Sequence, residues 1–93
     1  MAKTDDYLGR LAHEYSIAVL AAQVADMVGA GALAYRGSVV VKGDSEIACQ
    51  ELVGLVGDAA AALGAETMGG GVAADGYGGG YRARVLIIPG DKR

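Results

Sequence analysis

The sequence predicts an α/β fold, a two-layer sandwich in the order α-β-α-β-β with a long Gly-rich hairpin and with both helices on one face of the sheet. Two segments with helical apolar spacing, 4–28 and 44–63, and two strand-forming runs, 39–41 and 85–88, support this prediction. At 93 residues the chain has the length of one domain, so we expect residues 1–93 to form a single unit.

The first helix begins at a good capping sequence. Thr4 offers a side-chain oxygen, and Asp5 and Asp6 place two carboxylates in the first turn, where the helix dipole favours them. We expect the helix to end at Gly29 or Gly31. Beyond Tyr15 its polar positions are few: Ser16, Gln23 and Asp26. A helix that is apolar around most of its circumference needs cover on two sides, so we expect its second face to meet another subunit.

Residues 32–42 contain three consecutive valines and predict a strand, or a short hairpin that turns at Arg36 and Gly37. The second helix then starts at a cap supplied by Asp44 or Ser45, and Gly64 ends it. We expect the large apolar residues of this helix to face the core: Ile47, Leu52, Leu55, Val56 and Leu63.

A strip of small residues runs along the second helix at helical spacing. It consists of Gly54, Gly57 and Ala61. Each glycine destabilises a helix interior by about 1 kcal/mol relative to alanine. Close packing of a neighbouring helix or strand against the strip would offset this cost, and simple tolerance of glycine in an alanine-rich sequence is the other interpretation.

The stretch from Gly69 to Arg84 contains seven glycines immediately before the final strand. A strand near 66–68 or 72–74 would pair with the final strand, 81–88, across this turn. The final strand holds Val85, Leu86, Ile87 and Ile88 without polar alternation, which is typical of a strand covered on both faces.

Composition limits the function classes. The net charge of −3 excludes a generally basic nucleic-acid coat, and a core without Phe or Trp is made of small aliphatic side chains, so we expect a homo-oligomer. The single cysteine, Cys49, predicts a buried hydrophobe in a reducing cytoplasm, and His13 follows no metal-ligand spacing. We therefore expect no enzyme activity, no cofactor and no metal. The apolar run 17–28 is too short to span a bilayer, so no membrane partner is expected.

A few side chains could nevertheless contact an anionic partner. Tyr77, Tyr81, Arg82 and Arg84 combine aromatic rings with guanidinium groups on the glycine-rich segment, and Lys42 adds a further positive charge. Stacking and phosphate contact of this kind bind DNA or RNA. Lys92 and Arg93 would form a supporting patch.

The favoured hypothesis is therefore a homo-oligomeric module that binds nucleic acid, or another anionic partner, through the glycine-rich hairpin. The alternative is a self-assembling structural protein in which the apolar first helix and the small-residue strip form subunit contacts. An enzyme whose active site is completed between subunits is the third hypothesis.

The order of elements also resembles known families. VVVKGDSEIACQELV and RARVLIIPGDKR, within residues 17–93, resemble the small Alba-type chromatin and RNA-binding proteins and the related stage V sporulation protein S. That resemblance implies a dimer whose Gly- and Arg-rich arms enter the minor groove. The matching positions are Gly69 to Arg84, with Arg82 and Arg84 as groove or phosphate contacts.

Two assembly families are similar in the same segments. VVVKGDSEIACQELVGLVGDAAAALGAE is similar to the strand and helix of bacterial microcompartment shell proteins, which tile as hexamers. AAQVADMVGAG together with GDAAAALGAE and a closing strand is similar to the core of the septum-forming division protein SepF, a dimer that polymerises. Both resemblances imply a structural protein that associates with copies of itself.

Overall fold

A computed structural model describes residues 16–76 and 78–90 of the chain. The predicted α/β class is confirmed, because these residues form two helical segments and a five-stranded antiparallel sheet. Helix α1 is described over residues 16–28; its predicted cap at Thr4 lies outside the described residues. Helix α2 spans Glu46–Ala62. The strands are β1 (Ala32–Tyr35), β2 (Ser38–Gly43), β3 (Ala65–Gly69), β4 (Ala73–Ala74) and β5 (Tyr81–Pro89).

The final strand is the centre of the sheet. The strand order is β1-β2-β5-β3, and β4 also pairs with β5. Strands β3 and β4 follow one another along the same edge of β5, because β2 occupies the other edge from Ser38 opposite Leu86 to Gly43 opposite Tyr81. Both segments proposed as partners of the final strand are thus present, each as a short strand. The long hairpin arm predicted from the glycines is not confirmed, since only residues 75–80 connect β4 to β5.

Local signals place the ends of the elements. Ser45 caps α2, and its Oγ accepts a hydrogen bond from the backbone N–H of Ala48 at 3.1 Å. Gly29 follows α1 with φ +91°, and Gly64 follows the Leu63 cap of α2 with φ +78°. Positive φ at these positions favours glycine, so both helices end where the sequence predicts. The hairpin at Arg36 is also present and joins β1 to β2.

One face of the sheet carries the core. Val39 lies opposite Val85, and Val41 lies opposite Ala83, so the buried residues of β2 and β5 point to the same side. The buried residues of both helices belong to the same cluster. Those residues are Ala21, Val24 and Ala25 in α1 and Cys49, Val56, Ala59 and Ala60 in α2. Both helices therefore cover one face, as the two-layer prediction requires.

No described element covers the opposite face, which we call the open sheet face. Its side chains come from the alternate positions of β1, β2, β3 and β5: Leu33, Tyr35, Ser38, Val40, Lys42, Glu66, Met68, Arg82, Arg84, Leu86 and Ile88. The prediction of cover on both faces of the final strand is therefore wrong within the described chain. Val85 and Ile87 are buried, whereas Leu86 is 45% exposed.

The orientation predicted for α2 is also partly wrong. Val56 is buried and Leu52 packs against the core, as expected. Ile47, however, is 68% exposed, and Leu55 and Leu63 are 48% and 38% exposed. Alanines and Cys49 occupy the core side instead, because small side chains let the helix lie close to β2 and β5. Among the described helices, none has the length and apolar character needed to cross a membrane.

The small-residue strip has no close neighbour within the described chain. A Cβ built on Gly54 or on Gly57 would meet no atom within 4 Å. Close packing inside one subunit therefore does not explain these glycines. Gly43 is different, because its Cβ would lie 2.7 Å from the backbone nitrogen of Cys49.

We predict that Gly54→Ala and Gly57→Ala each raise the free energy of unfolding of the isolated subunit by up to about 1 kcal/mol, because alanine is the better helix former and has room. Urea denaturation at low protein concentration measures this effect. Gly43→Ala is the matched control and should destabilise the protein, since its methyl group would clash with the start of α2. Loss of stability in the Gly54 and Gly57 variants would contradict the prediction.

Candidate functional site

Three of the predicted contact residues lie together on the open sheet face. Lys42 is directly opposite Arg82 on the paired strands β2 and β5, and Arg84 is opposite Val40. Arg82 and Arg84 point to the same side because side chains alternate along a strand. The pairing of β2 with β5 thus brings Lys42 close to Arg82 and Arg84, which come 40 and 42 positions later in the sequence.

The predicted tyrosines do not join this group. Tyr81 belongs to the opposite set of β5 positions and packs, partly buried, against the core. It therefore lies on the other side of the sheet from Arg82 and Arg84. Tyr77, Lys92 and Arg93 lie outside the described residues.

A different tyrosine takes the place expected for an aromatic contact. The ring centroid of Tyr35 lies 5.7 Å from the guanidinium carbon of Arg84 and 5.6 Å from that of Arg36. Both distances are within the range of cation–π attraction. Sequence reasoning missed Tyr35, although its position at the end of a predicted hairpin strand, next to Arg36, was a usable signal.

Ser38 holds part of this arrangement in place. Its side chain is buried, and its Oγ donates a hydrogen bond to the carbonyl oxygen of Tyr35 at 2.9 Å. The same Oγ accepts a hydrogen bond from Nε of Arg84 at 3.3 Å. Ser38 thus connects the β1–β2 hairpin to Arg84 on the central strand.

The glycine-rich segment closes against one end of the sheet. The Nζ of Lys42 lies 2.9 Å from a carboxylate oxygen of Asp75, whose side chain is almost buried. The N–H of Asp75 donates to the carbonyl of Gly80 at 3.0 Å. A Cβ on Gly80, where φ is +75°, would lie 2.7 Å from the carbonyl oxygen of Gly43, so this approach requires glycine. The main interaction of Lys42 is therefore its ion pair with Asp75 in this loop.

A depression of about 350 Å³ lies on the open sheet face between the first hairpin and the glycine-rich segment. It is lined by Tyr35, Val40, Gly71, Ala73, Arg82, Ala83 and Arg84. Two guanidinium groups, one aromatic ring and an apolar floor can bind an anionic or aromatic group.

Apolar side chains cover much of the same face. Leu33 is 71% exposed and Met68 is 58% exposed, and Tyr35 and Leu86 are about half exposed. They lie on three strands of one sheet, β1, β3 and β5. Several exposed apolar side chains on one face are typical of an interaction surface.

The described residues offer little for catalysis. They include no group of three His, Cys, Asp or Glu side chains that could hold a metal ion. Cys49 is fully buried, and its Sγ lies 3.9 Å from the carbonyl oxygen of Val41. Burial raises the pKa of the Cys49 thiol, although a backbone hydrogen bond from Gly43 opposes the shift. A raised pKa and lack of access both make a nucleophile ineffective.

No protein-family model, curated protein or solved structure matches the chain. The geometry of its surfaces is therefore the basis for a proposal about function.

We predict that Cys49 in the folded protein reacts with an aromatic disulfide reagent at pH 8 at least about a hundredfold more slowly than in urea, because the thiol is buried and its pKa is raised. The absorbance of the released thiolate measures the reaction.

The sign of the pKa shift also predicts that stability falls as the pH rises above the ordinary thiol pKa, since the unfolded chain then releases the proton more readily. Rapid reaction of the native protein would contradict a buried structural role.

Proposed function

We propose that the protein is a structural module that associates with copies of itself through the open sheet face. The observation that carries this proposal is the exposure of four large apolar side chains on that face: Leu33, Tyr35, Met68 and Leu86. Burying them against another subunit removes apolar surface from water, which is the main driving force of protein association.

The sequence of the final strand supports the same proposal. Residues 85–88 have the composition of a strand covered on both faces, yet Leu86 is about half exposed and Ile88 half-buried in the described chain. A second subunit would supply the missing cover. The same reasoning applies to Ile47 and Leu55, whose apolar side chains point away from the core of their own subunit.

The small core is a further reason to expect association. Its buried residues are valines, alanines, one isoleucine and one cysteine, with no buried aromatic ring among the described residues. A domain of this size buries a modest apolar area, so contacts between subunits would add substantially to its stability.

Binding of a nucleic acid or another anionic partner is the second candidate. The observation that favours it is the adjacency of Arg82, Arg84 and Lys42 on one face, next to Tyr35 and the depression of about 350 Å³. Two features weigh against it as the main role. Lys42 is paired with Asp75, and the protein as a whole carries a net charge of −3, so a phosphate backbone would gain little from long-range attraction.

We predict that the wild-type protein sediments as an oligomer whose mass depends on concentration, and that Met68→Gln/Leu86→Gln shifts it toward the monomer. Replacing two exposed apolar side chains should raise the dissociation constant about tenfold or more. Sedimentation velocity over a concentration series measures the shift. Thr67→Gln is the matched control, because this exposed residue is next to Met68 on β3 but points to the other side of the sheet. A wild-type protein that stays monomeric at high concentration would refute the proposed function.

The second candidate has its own test. We predict that a fluorescent single strand and a duplex bind weakly at low salt, and that Arg82→Ala/Arg84→Ala removes this binding, because two guanidinium groups are lost from one face. Fluorescence anisotropy at low and moderate salt measures the affinity. Arg82→Lys/Arg84→Lys keeps both positive charges at these positions and serves as the control. Binding that is unchanged in the Arg82/Arg84 variant would exclude the open sheet face as the nucleic-acid surface.

A further inference from the structure

The two layers of the protein carry charges of opposite sign. Within residues 16–28 and 46–62, which form the described helices, every charged side chain is a carboxylate: Asp26, Glu46, Glu51 and Asp58. All four carboxylate side chains belong to exposed residues. The helix layer thus presents an acidic surface with no described lysine or arginine on the helices themselves.

The open sheet face is positive. Arg82 and Arg84 lie side by side on the central strand, and Glu66 on β3 is the carboxylate that shares this face with them. Lys42 adds a positive charge whose partner is Asp75. The apolar patch of the sheet therefore has basic side chains within it, and these charges restrict what can cover it.

We propose that the open sheet face of one copy docks on the acidic helix layer of the next copy. This inference rests on the proposed function and specifies its geometry. Pairing two open sheet faces would bring two sets of arginines into one buried interface, and like charges in such a place are strongly unfavourable. Docking the sheet on the helices instead brings each arginine pair to a surface that carries carboxylates.

The apolar side chains of the two surfaces also fit this arrangement. Ile47, Glu51, Leu55 and Asp58 are spaced by four, four and three residues, so they form one exposed stripe along α2 in which apolar and acidic side chains alternate. The open sheet face combines the same two kinds of groups with the opposite charge, as Leu86 lies between Arg84 and Ile88 on β5. Each surface combines apolar side chains with a charge that the other can neutralise.

Such a contact joins the open sheet face of one copy to the helix layer of another. Each pair of copies therefore still has one open sheet face and one helix layer that are not covered. Copies can therefore continue to add, and the product is a closed ring or an open chain of subunits rather than a dimer that stops growing. Gly54, which is exposed next to Leu55, gives the neighbouring subunit room for close approach to the helix.

Charge reversal on each surface tests this geometry. Arg82→Glu/Arg84→Glu makes the sheet face acidic, and Glu51→Lys/Asp58→Lys makes α2 basic. We expect each variant alone to self-associate about a hundredfold more weakly than the wild type, because both of its surfaces then carry the same sign. We expect a 1:1 mixture of the two variants to associate again, since each sheet face then meets a helix layer of the opposite sign.

Sedimentation velocity of the wild type, of each variant and of the mixture gives the readout, and circular dichroism shows whether each variant is folded. Arg82→Gln/Arg84→Gln is a milder second variant in case reversal prevents folding, and it should weaken self-association. Its mixture with the helix-reversed variant should stop at a heterodimer, because only the unchanged sheet face of one variant and the unchanged helix layer of the other carry opposite charges. If the helix-reversed variant still associates with itself, or if the mixture does not associate, sheet-on-helix docking is wrong while the proposed self-association stands. A monomeric wild type would refute both.

Discussion

The structure depends on a core that occupies only one face of the sheet. Val39 and Val41 on β2 face Val85 and Ala83 on β5, and both helices pack on this side. Alanines at the helix–sheet contact allow the helices to lie close to the strands, so a small number of short side chains is enough to exclude water. The strand positions between them must then point away from the helices, because side chains alternate along a strand.

Because the core occupies only one face of the sheet, large apolar side chains at the other positions remain exposed. The chain places Leu86 and Ile88 on the open side of β5, and it places Ile47 and Leu55 on the outer side of α2. A sequence selected only for a two-layer monomer gains nothing from these side chains, and exposed apolar patches promote uncontrolled association. Their presence on both layers is accounted for if both layers are covered in an assembly.

The local elements could be predicted from the sequence because their signals are local. The Ser45 cap, the end of α1 at Gly29 and the turn at Arg36 depend on residues within one or two turns of chain. Which side of an element is covered is a different matter, since it depends on neighbours that are distant in sequence. The contact between Ser38 and Arg84 spans 46 residues and follows only from the register of β2 on β5, so no local motif could show that Tyr35 and Arg84 lie together. Tyr81 lies on the other side of the sheet from Arg82 and Arg84 because side chains alternate along a strand. The prediction of a flexible arm took no account of this alternation.

Strand alternation also separates the charges. In the run from Tyr81 to Ile87, both arginines occupy open-face positions, whereas Ala83, Val85 and Ile87 occupy core positions. The helices meanwhile contain carboxylates and no basic residue within their described ranges. A small change in register would exchange the two sets of side chains on β5 and bury both guanidinium groups against the helices, at a large cost in desolvation. The alternation of side chains along β5 thus gives the subunit two unlike faces, which in the proposed assembly would dock on each other.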